Sequence, residues 1–74
     1  MSTYRNGTIP LTEAQRAALR WLKEHNGDGM FDVHRVLLAA GESAPAMYTT
    51  WVKLEEAGFV EFYQGRKRLR LVSR

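Results

Sequence analysis

The spacing of apolar residues changes at Gly58, and that change constrains the fold more than any other feature of the chain. Before Gly58, apolar positions recur every three to four residues, as on one face of a helix; after it they alternate, as on one face of a strand. Phe59-Val60-Glu61-Phe62-Tyr63 and Lys67-Arg68-Leu69-Arg70-Leu71-Val72 read as two strands, and Gln64-Gly65-Arg66 between them suits a hairpin link. In the second strand Leu69 and Leu71 share the inward side, so Arg68 and Arg70 share the side that faces solvent.

Ahead of Gly58 the punctuation is helical. Thr12-Glu13-Ala14-Gln15 fits a capping box, in which the Thr hydroxyl and the Gln amide each satisfy an orphan backbone N–H. Ala14, Ala18, Trp21, Leu22 and His25 follow at helical spacing, and Asn26-Gly27 is a C-terminal stop, so a first helix is expected from Thr12 to His25. Asp28-Gly29 reads as a turn. Asp32 is then the expected N-cap of a short second helix from Val33 to Ala39 or Ala40, with Val36, Leu37 and Ala40 inward. Gly41 offers a positive φ, Ser43 a further N-cap and Pro45 a first-turn residue, so a third helix is expected over residues 44–57, with Met47, Trp51 and Leu54 facing the core. The expected class is α+β, mainly α: three helices and a C-terminal two-stranded hairpin over residues 11–74, preceded by a flexible arm over residues 1–10.

Composition excludes several classes of function. The chain has 74 residues and no cysteine, which leaves room for one small domain and excludes disulfides and thiolate metal sites. Its 45% hydrophobic and 26% charged residues describe a globular chain rather than a disordered one. No apolar run approaches the roughly 20 residues of a membrane span, and the N-terminus lacks a secretory pattern, so a cytoplasmic location is expected. His25 and His34 have no metal-ligand spacing around them. Glu55 and Glu56 are neighbours on a helix, diverge by about 100° and cannot flank one substrate atom. With no Gly-rich phosphate loop and no nucleophile–base pair, the expectation is no enzyme, no cofactor, no metal and no small-molecule effector. Trp21 and Trp51 lie on apolar stripes and read as core. Phe59, Phe62 and Tyr63 would make an RNA-stacking surface only within a larger sheet than the two strands that are evident.

Charge is unevenly placed. Residues 28–63 contain two Lys/Arg and six acids, whereas residues 64–74 contain Arg66, Lys67, Arg68, Arg70 and Arg74 and no acid. That asymmetry points to an anionic partner at the C-terminal end.

The segment Leu54-Glu55-Glu56-Ala57-Gly58-Phe59-Val60 resembles the stretch that closes the recognition helix and opens the wing in bacterial winged helix-turn-helix regulators. Ser43, Met47 and Trp51 precede it at matching spacing and a basic hairpin follows, so the resemblance covers residues 11–72. It implies a three-helix winged helix-turn-helix domain of bacterial or phage transcriptional-regulator type that binds double-stranded DNA. By position, the recognition helix would present Ser43, Ala46, Tyr48, Thr49, Thr50 and Lys53 to the major groove. The wing would present Tyr63, Arg66, Lys67, Arg68 and Arg70 to the minor groove or backbone. With one cation on the helix, most of the affinity is expected from the wing. The same superfamily also includes protein-interaction modules and accessory factors of replication or packaging complexes, and both alternatives stay open. A weak homodimer through Tyr4, Leu11 or Trp21 is a further possibility.

Overall fold

The computed structural model describes residues 11–72. The arm expected over residues 1–10, Tyr4 within it, and Arg74 lie outside the described residues. Helix α1 spans Glu13–Glu24 and is followed by strands β1 (Asp28–Phe31), β2 (Leu37–Ala39) and β3 (Glu42–Ser43), helix α2 (Tyr48–Glu56), and strands β4 (Val60–Tyr63) and β5 (Arg68–Leu71). The five strands form one antiparallel sheet in the order β3-β2-β1-β5-β4.

Helix α1 forms where its local signals put it. The Thr12 hydroxyl accepts from the Gln15 backbone N–H at 3.1 Å, and the Gln15 side chain accepts from the Thr12 N–H at 3.0 Å. At the other end Gly27 donates to the Leu22 carbonyl at 2.8 Å, a turn that needs positive φ at Asn26 and Gly27. Replacing Thr12 by Ala removes one half of the box and is expected to lower stability by about 1 kcal/mol; urea denaturation checks it.

The three-helix expectation is overturned: two helices and a five-stranded sheet stand where three helices and a two-stranded wing were expected. Residues 33–40 form no helix. The Asp32 carboxylate accepts from the backbone N–H groups of His34 (2.8 Å) and Val36 (2.9 Å), while the Asp32 N–H donates to the Val36 carbonyl at 3.0 Å. Those bonds close a turn that a helix would have to break, and Arg35 within it is left-handed at φ 63°. Leu37-Leu38-Ala39 then alternate buried, exposed, buried, so Ala40 is not inward. Ala40 and Gly41, at φ 51° and 79°, make the two-residue hairpin turn into β3. Ser43 therefore pairs with Leu38 instead of capping a helix.

Helix α2 starts four residues later than expected at Ala44. The Ala44 N–H extends the sheet by donating to the Leu37 carbonyl at 2.8 Å, and Pro45 keeps the residue before it out of helical geometry. The N-cap is Met47, without a side-chain cap bond and 72% exposed, so Met47 leaves the core stripe to which it was assigned. Trp51 and Leu54 keep their place, fully buried. Nor is the C-terminal hairpin a free wing: β5 lies between β4 and β1, with Gly29 opposite Leu69.

Both helices cover one face of the sheet, where Ala18, Leu19 and Leu22 of α1 and Trp51 and Leu54 of α2 meet Leu37, Val60 and Leu69. The other face is open, and the register sets Ser43, Leu38, Met30, Arg68 and Tyr63 in one row across it. At the end of α1, the His25 ring stacks on Trp21 at 3.9 Å and reaches the Trp21 carbonyl through Nδ1 and Glu42 of β3 through Nε2, each at 2.6 Å. Both ring nitrogens thus face acceptors, which suits the doubly protonated ring. Its pKa is raised, first by Glu42 and then by the Trp21 carbonyl. This contribution to stability is complete below the unfolded value of about 6.5 and lost as pH rises through the raised folded value. The melting temperature is expected to fall between pH 6 and pH 8.5, and Glu42→Gln to remove most of that fall. Among the described residues, no helix is long and apolar enough to cross a membrane.

Candidate nucleic-acid interface

The basic residues of the C-terminal end do not share one surface. Arg68 and Arg70 project from the open sheet face, on the opposite side from α2. There Arg68 donates to the Asp28 carboxylate at 3.2 Å and to the Tyr63 hydroxyl at 2.9 Å, and that hydroxyl donates to Asp28 at 2.6 Å. Arg70 pairs with Glu61 and lies 4.3 Å from the centre of the Tyr63 ring. Tyr63, Arg68 and Arg70 are thus bound into a network with Asp28 and Glu61, two acids that neighbouring strands align beside them.

The turn before β5 aims elsewhere. Gln64, Gly65 and Arg66 are all left-handed, at φ 53°, 66° and 67°. This sends Arg66 over the Phe62 ring (4.0 Å to its centre) and to within 3.5 Å of Glu55 on α2. The Arg66 pKa is raised, chiefly by the Tyr48 side chain and then by Glu55. The Phe31 N–H donates to the Lys67 carbonyl at 2.8 Å, which ties this turn to the end of β1, where the 32–36 turn begins. From that second turn Arg35 reaches over the Tyr48 ring, 5.2 Å from its centre.

The result is an open cleft of about 420 Å³ lined by Phe31, Val33, Arg35, Tyr48, Arg66 and Lys67, among others. Two of the lining residues, Phe31 and Tyr48, belong to a cluster of three rings: Phe31 stacks on Phe62 at 5.5 Å, and Tyr48 meets both edge-on at 5.2 and 5.7 Å. Asp32 also lines the cleft; its carboxylate accepts from two backbone N–H groups, Val36 foremost, which lower its pKa and hold it as an anion fixed to its own turn. Among the described residues no acid pairs with Arg35 or Lys67. Two arginines in left-handed backbone at one cleft is a costly arrangement, roughly 1–2 kcal/mol each, and such strain concentrates at functional sites.

Of the residues named from sequence, Tyr48, Arg66 and Lys67 meet here. Ala46 and Thr50 instead line a groove of about 300 Å³ against Ala14, Ala17 and Ala18 of α1. Thr49 and Lys53 are exposed on α2, with Lys53 3.9 Å from Glu56. Ser43 is on the edge strand β3. Arg35 and Phe31 were not anticipated; the signal for Arg35 was Asp32, whose carboxylate organises the turn that carries it. The sheet is larger than the two strands that counted against an RNA-stacking surface, yet Phe59 and Phe62 pack toward the core and leave only Tyr63 of that trio on the open face. Leu11 and Trp21, named for a dimer contact, pack against the core. No family model, no curated protein and no solved structure matches this chain.

Proposed function

We propose that this protein binds double-stranded DNA through phosphate contacts made by Arg35, Arg66 and Lys67, with Tyr48 between them. The reading rests on one observation: three cations from two turns far apart in the chain converge on one cleft, and no acid pairs with Arg35 or Lys67 among the described residues. Phosphate oxygens are the ligands such a set suits, since guanidinium and ammonium groups bind them by charge-assisted hydrogen bonds.

The ring cluster favours duplex over single strand. Single-strand binders offer aromatic faces to unstacked bases. Here Phe31 and Phe62 stack on each other, Arg66 covers Phe62, and Arg35 lies over Tyr48. The cleft therefore offers charge at its rim rather than an open ring face. Helix α2 contributes only Tyr48 to the cleft lining, and its exposed Thr49 and Lys53 are too few groups for a base-reading code, so binding is expected to tolerate sequence. The open-face arginines add less: Arg68 and Arg70 are each hydrogen-bonded to an acid of their own sheet, whereas Arg66 meets Glu55 only at 3.5 Å and Arg35 and Lys67 pair with no acid among the described residues.

Fluorescence anisotropy tests this with a labelled duplex of about 20 base pairs, the matching single strand and an acidic peptide. The expected result is preference for the duplex and a log–log salt slope between about −2 and −3, from three cations at roughly 0.9 each. Absence of duplex binding at about 50 mM salt, or tighter binding of the acidic peptide, contradicts the reading.

A further inference from the structure

We infer that Val33 is a wedge that enters a base step of the bound duplex and kinks it; this rests on the duplex reading above. Val33 is 92% exposed, the most exposed large apolar side chain among the described residues, and it stands on the rim of the cleft that holds Arg35, Arg66 and Lys67. It belongs neither to the core nor to the apolar side chains packed against it. Turn tips ordinarily carry Gly, Asn, Asp or Ser, which makes an aliphatic residue there a departure that the fold does not require.

The turn that carries Val33 is rigid. The Asp32 carboxylate holds the His34 and Val36 N–H groups, the Arg35 N–H donates to the Asp32 carbonyl at 3.0 Å, and Asp32 and Val36 are bonded through their backbones. A wedge needs that rigidity, because a side chain that recoils cannot separate stacked bases. Cations beside it hold the phosphates on either side while the apolar group meets the groove floor. Proteins that kink DNA combine these two elements, an apolar side chain at a step and basic contacts flanking it. Pyrimidine–purine steps unstack most easily, so the wedge would confer a preference for such steps without base hydrogen bonds.

A basic surface with an exposed aliphatic group also suits an anionic membrane. The rings of this region, Phe31, Tyr48 and Phe62, are locked against one another, which leaves Val33 and Met47 as its exposed apolar side chains; interfacial anchoring draws on several apolar and aromatic side chains presented together, so DNA is the better fit.

The test is end-to-end energy transfer in a doubly labelled duplex of about 20 base pairs with one central TA step, measured with the full chain. Wild type is expected to shorten the end-to-end distance as a bend of at least about 20° does. Val33→Ser should lose more than half of that bend and bind about threefold to tenfold more weakly, with the salt slope unchanged because the phosphate contacts remain. Val33→Leu should restore the bend. Val33 is exposed, so both variants keep the fold, as circular dichroism would verify. An equal bend in Val33→Ser overturns the wedge and leaves duplex binding standing; no duplex binding by wild type removes the duplex reading and the wedge with it. Val33-dependent binding to phosphatidylserine vesicles, without a Val33-dependent bend, reassigns the side chain to lipid and overturns the wedge.

Discussion

Arg35→Gly combined with Lys67→Ala should weaken duplex binding at least about a hundredfold at low salt while leaving the fold intact. Each cation lost removes at least roughly 1.5 kcal/mol of charge-assisted hydrogen bonding, and each tenfold in affinity is about 1.4 kcal/mol. The salt slope should become shallower by about 2 units. Glycine is chosen at position 35 because Arg35 is left-handed at φ 63°. A glycine there relieves backbone strain, so the variant should melt at the same temperature as wild type or slightly above it. A protein that is more stable and yet binds less separates loss of a site from loss of a fold. Arg68→Ala with Arg70→Ala removes the same formal charge from the opposite face, where Asp28 and Glu61 already pair with it. That variant should lose far less affinity, and an equal loss would mean that net charge, not the cleft, drives binding.

Gly29→Ala should be the most damaging single methyl addition among the glycines with described surroundings. Gly29 sits mid-sheet in β1, and its need for glycine comes from crowding, not from φ. An added Cβ would come within 2.7 Å of the Leu38 carbonyl oxygen and 2.9 Å of Leu37 Cδ1. The first of these is backbone held by the β1–β2 pairing of Met30 with Leu38, and Leu37 is fully buried, so neither neighbour can yield cheaply. Overpacking of this kind costs roughly 3 kcal/mol, which for a domain of this size lowers Tm by roughly 15 °C. Gly65→Ala is the contrast: nothing lies within 4 Å of its added Cβ, and only the φ of 66° resists it. Its cost should stay near 1 kcal/mol. Thermal melts of the two variants decide whether the tight β1–β2 approach is as central to the sheet as the structure implies.

Local signals made α1 and the last two strands legible. The reciprocal Thr12–Gln15 bonds and the Asn26-Gly27 stop involve residues a few positions apart, and the alternation in β4 and β5 is a property of each strand alone. The middle of the chain misleads because its local signals are degenerate. Asp32 fits an N-cap and an Asx turn equally well, since in both a carboxylate accepts from N–H groups just ahead of it. Val33 to Ala40 contains good helix formers, and what makes Leu37–Ala39 a strand is pairing with β1, itself held by β5 some forty residues on (Met30 opposite Arg68). No window of neighbouring residues contains that information. The site divides in the same way. Arg66 and Lys67 stand out in a run of cations, whereas Arg35 is one of two cations in an acidic stretch and becomes conspicuous only once two turns meet. The run itself was misleading about Arg68 and Arg70, because their partners Asp28 and Glu61 come from strands whose register the sequence does not display.

Binding in the cleft is tested most directly by mapping the bound duplex by NMR, following backbone amides and arginine side-chain N–H signals during a titration. The cleft predicts the largest shifts at Val33, Arg35, Tyr48, Arg66 and Lys67, with the Arg68 and Arg70 side chains close to their free positions. Shifts concentrated on Arg68, Arg70, Tyr63 and Met30, with the cleft unmoved, would place the nucleic acid on the open sheet face and contradict it.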